Sequence, residues 1–466
     1  MSEQYRFVVV ANRLPVDEIV DGDGKREWTR SPGGLVSALQ PTVRARQGGW
    51  IGWAGGTGQA PDPFSFDGMW LHPIALSAED LDYYYEGESN ASIWPLYHDA
   101  VETPTFHRHW RESYRRVNRR FAEAAAELAA PGAVVWVHDY QLQLVPAMLR
   151  ELRPDLRIGF FLHIPFPPVE LFMQLPWRTQ LLEGLLGADL VGFQRPGGAE
   201  NFLRLTRTLL GLEPEGDHVM VDGRRVTARA FPISIDVDEM EKLAADPHIR
   251  QRAKQLGEEL GGHRRLLLGV DRLDYTKGIE HRLKAYRELL AEGRLSNQEV
   301  ALVQVATPSR LRVAQYRQLR ERVEREVGRI NGEYGQVGLA PVHYLFRSYD
   351  RDELLALYLA ADVMVVTPLR DGMNLIAKEY VSARTDNTGA LVLSEFTGAA
   401  AELPEAFLVN PHDVDGLKEA FTAALETPGP ELSARMRRMR EHVCDHDVTR
   451  WAKEYLEALG EVGACP

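Results

Sequence analysis

The sequence contains few cysteines and no long apolar run. Only Cys444 and Cys465 occur among its 466 residues, which excludes a disulfide framework and a cysteine-based metal cluster. No apolar run approaches the roughly 18 residues that a membrane-spanning helix needs. A predicted strand begins at Phe7, and no charged-then-apolar leader precedes it. We therefore expect a soluble, cytoplasmic protein that has no membrane partner.

The chain also lacks an excess of positive charge. Its formal net charge is −13 at pH 7, whereas non-specific binding to nucleic acid or to an anionic membrane needs a basic surface. Nucleic acid is therefore not expected as a partner, and any phosphate group must be held by a local cluster of cations. The sequence leaves a homo-oligomer open.

Several well-known catalytic motifs are absent. No GxGxxG follows the first strand and no GxxxxGK[ST] occurs, which argues against a dehydrogenase and a P-loop protein. The nucleophile elbow GxSxG is absent as well. Asp236-Val237-Asp238 and Asp413-Val414-Asp415 resemble metal-binding DxD pairs, but neither follows a clear strand. We expect no metal and no cofactor.

Short apolar runs recur along the chain, and each leads into polar or Gly/Pro residues and then a helical pattern. Continuous apolar strands that alternate with helices are typical of parallel sheets covered on both faces. The runs form two series, with a break near residues 231–235, and so predict an α/β fold with two doubly wound domains. Residues 54–66 are expected to form a surface loop. The apolar runs are residues 7–10, 133–137, 158–162, 189–193, 265–270, 300–305, 342–346, 363–367, 390–394 and 407–409.

Residues 362–380 are the most informative stretch. They combine an apolar strand, a tight polar turn and a helix that carries Lys378 and Glu379. A turn that leads into a helix N-terminus offers free N–H groups and a positive dipole end to an anion. The turn also contains the carboxylate of Asp371, and Glu379 follows about two helical turns later, so both are suited to sugar hydroxyls. The pattern predicts a site for an anionic ligand that carries sugars.

Further candidate residues lie just after strands, where ligands bind in open α/β sheets. Arg272 and Lys277 follow the run at 265–270, and two cations there would hold a diphosphate. Alternatively, this is a solvated loop in which Arg272 pairs with Asp274. Gly33 and Gly34 would permit close approach of the backbone to a phosphate, or form an ordinary turn.

Two buried strands end in histidine. Asp139, next to His138, would act as a base or accept a hydrogen bond from a hydroxyl, and His163 would donate to a sugar hydroxyl. A histidine at a strand end is nevertheless more often a packing or capping residue. Aromatic residues are also dense in a region expected to be rich in loops, where they would stack on sugar rings or fill the core. These are Trp50, Trp53, Tyr83, Tyr84, Tyr85, Trp94 and Tyr97.

Together, the motifs resemble the trehalose-6-phosphate synthase family, glycosyltransferase family 20, over nearly the whole chain. The resemblance implies a GT-B fold, with two facing Rossmann-like domains and a central cleft. Residues 1–235 would bind the acceptor, residues 236–444 would bind the nucleotide sugar, and a final helix at about 445–466 would cross back to the first domain. The matching stretches are VVVANRLPV, SPGGL, GGWIGW, SNASIWPLYH, HDYQLQLVP, FFLHIPFPPVE, VDRLDYTKGI, GRINGEYGQ and TPLRDGMNLIAKEY.

The resemblance also implies the reaction. A retaining, metal-independent hexosyltransferase would move glucose from UDP-glucose or GDP-glucose to glucose 6-phosphate and form α,α-trehalose 6-phosphate by a front-face route. The implied donor-binding residues are Gly34, His163, Arg272, Lys277, Asp371, Gly372, Met373, Asn374, Leu375 and Glu379. The implied acceptor-binding residues are Arg13, Tyr85, Trp94, Asp139 and Arg310. Catalytic roles fall on Asp139, His163, Arg272, Lys277 and Asp371.

Arg347 departs from the family pattern. Some family members carry a neutral residue at this position, in the part of the second domain expected near the nucleotide base. An arginine offers two donors to guanine O6 and N7, which uracil lacks; alternatively, Arg347 points into solvent. UDP-glucose is therefore the default donor and GDP-glucose the alternative, with Arg347 as a further donor-binding candidate.

Other functions on the same fold stay open. A sugar-nucleotide epimerase or a phosphorylase shares the architecture, but a phosphorylase should lack the acceptor-phosphate pair Arg13 and Arg310. A non-catalytic sugar-phosphate sensor should have lost donor or acceptor positions, and none of the matched positions is lost. A pseudo-glycosyltransferase that acts on a cyclitol would use the same frame.

Overall fold

The computed structural model describes residues 4–20, 26–31, 33–310 and 312–462. The chain divides into two compact units. The first takes the chain as far as Ile233 and again from Thr449, and the second is Ser234–Val448. The boundary predicted from the sequence, after Ile235, lies close to this one.

The strands of both units are defined mainly by apolar segments. The sequence predicted the long central strands, because strands buried on both faces are apolar throughout. The strands are β1 (Tyr5–Arg13), β2 (Val16–Val20), β3 (Arg26–Arg30), β4 (Gly49–Trp53), β5 (Phe64–Phe66), β6 (Met69–Ile74), β7 (Ala129–His138), β8 (Arg157–Phe161), β9 (Leu190–Phe193), β10 (His218–Val221), β11 (Arg224–Ala230), β12 (Arg265–Arg272), β13 (Val300–Thr307), β14 (Val342–Leu345), β15 (Val363–Val366), β16 (Ala390–Ser394) and β17 (Phe407–Val409).

Helices follow most of the strands. In chain order they are α1 (Gly34–Ala45), α2 (Ala78–Asp80), α3 (Trp94–Tyr97), α4 (Arg108–Leu128), α5 (Val145–Leu152), α6 (Val169–Phe172), α7 (Arg178–Leu185), α8 (Pro196–Leu210), α9 (Val237–Ala244), α10 (Pro247–Leu256), α11 (Ile279–Ala291), α12 (Ala314–Tyr334), α13 (Arg351–Ala360), α14 (Leu375–Ala383), α15 (Val414–Glu426), α16 (Gly429–Asp445) and α17 (Val448–Val462). Among the described residues, no helix is both long enough and apolar enough to cross a membrane.

The first unit is built on a nine-stranded sheet with the order β10-β11-β9-β8-β7-β1-β4-β6-β5. It is parallel except at its two edges, where β10 pairs antiparallel with β11 and β5 pairs antiparallel with β6. A separate antiparallel ribbon consists of β2 and β3. The second unit contains a six-stranded, wholly parallel sheet with the order β14-β13-β12-β15-β16-β17. The predicted α/β fold with parallel sheets is confirmed.

Two local predictions were wrong. Residues 54–66 are not all loop, because β5 pairs with β6. The aromatic-rich region expected to be loop-rich contains a 13-residue π-helix, Leu81–Ile93, which continues into α3. π-helices are rare and occur mostly as single turns, so no ordinary sequence pattern indicates one of this length. The π-helix buries Tyr84, Glu88 and Asn90.

The last helix, α17, packs on the sheet of the first unit through Tyr455. The Tyr455 ring stacks on Trp136 of β7 with 4.5 Å between ring centroids. Its hydroxyl donates to the Phe160 carbonyl at 3.0 Å and the Leu190 carbonyl at 3.1 Å. Gly159 leaves room for it, since a Cβ there would lie 2.6 Å from the Tyr455 hydroxyl. α17 is therefore an integral layer of this unit.

Candidate active site

The second unit brings together three residues that the sequence predicted separately. Lys277 Nζ lies 2.6 Å from Asp371 Oδ2, and Asn374 Nδ2 donates to the same oxygen at 3.1 Å. The two loops are also joined by their backbones, because Leu369 N donates to Thr276 O at 2.7 Å. The Lys277 and Asp371 side chains are 11% and 15% exposed, respectively. A cation and a carboxylate are thus held in fixed positions after the ends of β12 and β15.

The same turn leads into the N-terminus of α14. Asn374 is its N-cap: the Asn374 Oδ1 accepts a hydrogen bond from Ala377 N at 3.1 Å, while its φ of 83° lies in the left-handed region that asparagine tolerates. The following first-turn N–H groups and the helix dipole favour an anion here. Met373 is 3% exposed, so a ligand would meet Gly372 and Met373 mainly through their backbone.

Gly398 keeps this turn tightly packed. A Cβ at Gly398 would lie 2.2 Å from the Gly372 carbonyl oxygen, and Ala399 N donates to Met373 O at 2.9 Å. The backbone of residues 372 and 373 is therefore fixed by the segment that follows β16. A rigid turn is what preorganised binding of a diphosphate sugar requires.

Arg272 ends β12 and is exposed. Asp274 accepts hydrogen bonds from Arg310, Tyr316 and Thr276. Burial would raise the pKa of Asp274, but the cations Arg310, Arg272 and Lys277 lower it to about 2. Asp274 therefore stays ionised beside a cationic strand end.

Arg310 is anchored inside the second unit. Its side chain is 4% exposed, its Nη1 donates to Asp274 Oδ2 at 3.1 Å, and it also contacts the Tyr316 hydroxyl. Its predicted contact with the acceptor phosphate stays a prediction.

Glu379 and Arg347 have partners within their own unit. Tyr358 donates to Glu379 Oε2 at 3.0 Å, and burial raises the pKa of Glu379. Arg347 is exposed, with its guanidinium carbon 4.6 Å from the centroid of the Tyr349 ring. Neither arrangement tests the predicted contacts with ribose and with the nucleotide base, so both roles stay predictions.

In the first unit, Arg13 and Tyr85 both contact the ring of Trp53. The Arg13 guanidinium carbon is 5.0 Å from the centroid of the Trp53 ring, and the rings of Trp53 and Tyr85 are 5.8 Å apart. Arg13 Nη2 also donates to Asp17 Oδ1 at 2.7 Å, while Ser31 Oγ donates to the other oxygen of Asp17 at 2.6 Å. These contacts orient a cation and an aromatic ring, the two groups predicted to bind a sugar phosphate.

Asp139 adopts a backbone conformation that is almost restricted to glycine. Its φ is 75° and its ψ is 171°. The strained residue is held from two sides, since Asp139 N donates to Phe161 O at 2.8 Å and His163 N donates to Asp139 Oδ1 at 3.2 Å. Strain of this kind costs roughly 1–3 kcal/mol and concentrates at functional sites. The structure thus brings Asp139 and His163 together, as required if both face the substrates.

Asp139 variants should separate backbone strain from chemistry. Both Asp139→Gly and Asp139→Ala remove the carboxylate, but only glycine adopts this backbone without strain. We expect Asp139→Gly to be more stable than Asp139→Ala by about 1–3 kcal/mol, while both lose, to the same extent, any activity that depends on the carboxylate. Urea unfolding followed by tryptophan fluorescence measures the difference. Equal stability of the two variants would show that the backbone is not strained.

Trp94 and Gly34 complete the predicted set in the first unit. Trp94 is 4% exposed, and its ring lies 5.4 Å from that of Tyr140, the neighbour of Asp139. Gly34 is the first residue of α1, so its N–H lies at a helix N-terminus. Pro32, within the SPGGL motif, lies outside the described residues.

The two DxD pairs have structural roles. Asp236 caps α9 by accepting a hydrogen bond from Glu239 N at 2.9 Å, and Asp413 caps α15 by accepting one from Gly416 N at 3.0 Å. In the part of the chain that the structure describes, no three His, Cys, Asp or Glu residues are grouped so that they could hold a metal ion.

The sequence did not reveal the residues that hold the candidates in place. Tyr316 lies on α12 and Tyr358 on α13, far along the chain from the groups they contact. No local spacing links them to Asp274 or Glu379, and a tyrosine on an apolar helix face is usually a core residue. Only the folded topology identifies them.

The chain is similar to known proteins along nearly its whole length. A family model described as glycosyltransferase family 20 matches residues 5–461. The chain is 59% identical to a protein named trehalose-6-phosphate synthase from Mycolicibacterium smegmatis, over 98% of this chain and 93% of that protein.

Two solved structures are similar along nearly the whole chain. An α,α-trehalose-phosphate synthase (UDP-forming) from Burkholderia xenovorans, in complex with glucose 6-phosphate, is 36% identical with a TM-score of 0.89 and covers 98% of this chain and 100% of its own. A trehalose-6-phosphate protein from E. coli bound with UDP-2-fluoro-glucose is also 36% identical with a TM-score of 0.89, covering 97% of this chain and 98% of its own.

Proposed function

Because the chain belongs to glycosyltransferase family 20, we propose that it transfers glucose from a nucleotide-diphosphate glucose to glucose 6-phosphate and forms α,α-trehalose 6-phosphate with retention of configuration. The observation that carries this proposal is the arrangement of Lys277, Asp371 and Asn374 at the N-terminus of α14. The Burkholderia xenovorans relative binds glucose 6-phosphate and the E. coli relative binds UDP-2-fluoro-glucose, which supports the same two substrate classes here.

The donor would be held by the second unit through its diphosphate. Lys277 offers a compact charge and Arg272 a fork of donors, and the first turn of α14 adds backbone N–H groups. The Asp371 carboxylate would accept hydrogen bonds from glucose hydroxyls, and the Asn374 amide would donate to them. The Glu379 carboxylate would accept hydrogen bonds from the ribose hydroxyls. In the first unit, Gly34 would add its backbone N–H to the phosphates.

The acceptor would be held through its phosphate and its ring. Arg13 and Arg310 supply positive charge for the 6-phosphate, Tyr85 and Trp94 supply aromatic contact, and Asp139 accepts a hydrogen bond from an acceptor hydroxyl. The strained backbone of Asp139 suits a side chain whose direction must be fixed.

The chemical step needs stabilisation of the leaving diphosphate. As the bond between the anomeric carbon and the phosphate oxygen breaks, the acceptor oxygen attacks from the same face and its proton passes to a phosphate oxygen of the leaving group. Arg272, Lys277 and the α14 N-terminus offset the negative charge that develops, so neither a metal nor a cofactor is required in this scheme. A trapped glucosyl adduct on Asp139 or Asp371 would contradict this front-face route.

The proposed function is tested by nucleotide release. The purified chain is incubated with glucose 6-phosphate and either UDP-glucose or GDP-glucose. The rate at which the nucleoside diphosphate, UDP or GDP, is formed is compared with the rate in the absence of acceptor. We expect release that depends on glucose 6-phosphate and is not supported by unphosphorylated glucose. Nucleotide release that requires a cyclitol and is not supported by glucose 6-phosphate would identify a pseudo-glycosyltransferase. Binding of the sugar phosphate without nucleotide release would identify a sensor.

The donor base is tested at Arg347. If its guanidinium reads guanine, Arg347→Ala should lower kcat/KM for GDP-glucose by about 5–150-fold, as expected for the loss of a bidentate base contact worth roughly 1–3 kcal/mol. The value for UDP-glucose should hardly change. Arg325→Ala, which removes another arginine of this unit, on α12, is the matched control. An unchanged ratio of the two donors would mean that Arg347 does not read the base.

A further inference from the structure

Behind His163 lies a second histidine to which no role has been given. His138 ends β7, is fully buried, and places its Nδ1 3.1 Å from the Nε2 of His163. The His138 ring is 4.6 Å from that of Trp136, and the His163 ring is 4.8 Å from that of Phe161. The two imidazoles therefore form a hydrogen-bonded pair with an aromatic surround.

Both imidazoles are neutral at physiological pH. Burial lowers the pKa of His163 to about 3, and burial together with the nearby His163 lowers that of His138 well below its usual value. Each ring then carries one N–H and one lone pair. One nitrogen of the facing pair must donate and the other must accept, so the proton position on one ring determines the proton position on the other.

The surroundings of His138 decide between the two arrangements. Among the described residues, its buried Nε2 has no hydrogen-bond partner. If His163 Nε2 donated, His138 would carry its own proton on this nitrogen, as a buried N–H without an acceptor. Buried orphan N–H groups are rarer in proteins than unsatisfied acceptors, so the proton of His138 belongs on Nδ1.

We propose that His138 is a positioning residue that donates from Nδ1 to His163 Nε2 and so holds His163 with its proton on Nδ1, as a hydrogen-bond donor to the transferred sugar. This inference rests on the proposed function for its sugar ligand, but the proton position does not depend on that function. The family resemblance implies that His163 contacts the 6-hydroxyl of the donor glucose.

The proton positions are measured by nuclear magnetic resonance of protein labelled with ¹⁵N-histidine, using long-range correlations between ring protons and ring nitrogens. We expect an Nδ1–H signature for both His138 and His163 in the unmodified protein. His138→Asn should preserve it at His163, because the asparagine amide nitrogen lies near the position of imidazole Nδ1. His138→Leu should shift His163 toward the Nε2–H form. An Nε2–H signature at His163 in the unmodified protein overturns the proposal.

Kinetics test whether the proton position matters to the sugar. We expect His138→Leu to lower kcat/KM for UDP-glucose by about 3–10-fold, the effect of one hydrogen bond, with His138→Asn within about twofold of the unmodified enzyme. UDP-xylose lacks the 6-hydroxymethyl group, so its slower turnover should be insensitive to either variant. Equal losses with both donors would show a merely structural role and overturn the proposal.

A control variant at another histidine and the transfer assay distinguish failure of the His138 proposal from failure of the proposed function. His72→Asn changes a half-buried histidine on β6 of the same sheet and should leave both donors unaffected. Should His138→Leu fail to fold, the unmodified spectrum and His138→Asn still decide the proton position. Absence of transfer with every donor would contradict the proposed function while leaving the measured proton position informative.

Discussion

Replacing Lys277 by alanine is expected to lower kcat by about 10²–10³-fold, the loss found when one preorganised donor to a developing negative charge is removed. Lys277 is held 2.6 Å from Asp371 and is almost buried, so its position is fixed before substrate binds. Its charge would oppose the negative charge that develops on the leaving diphosphate. Single-turnover rates at saturating donor isolate this effect from binding.

The control for Lys277→Ala is the substitution of an exposed lysine that lies outside the candidate site. Lys284 lies exposed on α11, the helix that follows the Lys277 turn. Lys284→Ala should leave kcat unchanged within about twofold, as expected for a surface substitution. Lys277→Arg keeps the charge but changes the shape of the group, and should restore part of the rate. A kcat for Lys277→Ala within threefold of the unmodified enzyme, in a folded protein, would remove Lys277 from the mechanism.

Replacing Tyr455 by alanine should destabilise the first unit by about 3–5 kcal/mol, the usual cost of deleting a large buried aromatic side chain. The change empties the space between Trp136, Gly159 and Gly192, and it removes the hydroxyl that bonds two strand carbonyls. Tyr455→Phe keeps the ring and should cost about 1 kcal/mol, the net value of a hydrogen bond.

Tryptophan fluorescence is well suited to this test. All 9 tryptophans of the chain lie in the first unit, before Ile233 or at Trp451, so the signal follows that unit and not the second. Lys453→Ala changes an exposed residue of the same helix and should alter stability by less than about 0.5 kcal/mol. A fluorescence midpoint for Tyr455→Ala equal to that of Lys453→Ala would mean that α17 contributes little to the unit.

The sequence was sufficient to predict the central parallel strands, because each is an uninterrupted apolar run. It was insufficient for β4, where Gly49-Trp50-Ile51-Gly52-Trp53 mixes glycine with tryptophan. Gly52 is required there by close packing, since a Cβ would lie 2.5 Å from the backbone of Arg13. Such a requirement depends on a neighbouring strand and cannot be detected in a local pattern.

The candidate site shows the same division. The turn at 370–374 and the helix after it were predictable, because an apolar strand, a polar turn and the start of a helical pattern are all local. The pairing of Lys277 with Asp371 joins residues from two loops, and the burial of Arg310 against Asp274 and Tyr316 depends on α12. Motif resemblance identified Lys277, Asp371 and Arg310, whereas their contacts followed only from the topology of the sheet.

The most direct measurement is the structure of the product formed from UDP-glucose labelled with ¹³C at the anomeric carbon. Mixed with the chain and unlabelled glucose 6-phosphate, the label should appear in a disaccharide phosphate linked α,α-1,1, with the configuration of the donor retained. Phosphatase treatment should then convert that product into trehalose. A β-configured product, a label recovered only as free glucose, or no transfer with either UDP-glucose or GDP-glucose would contradict the account.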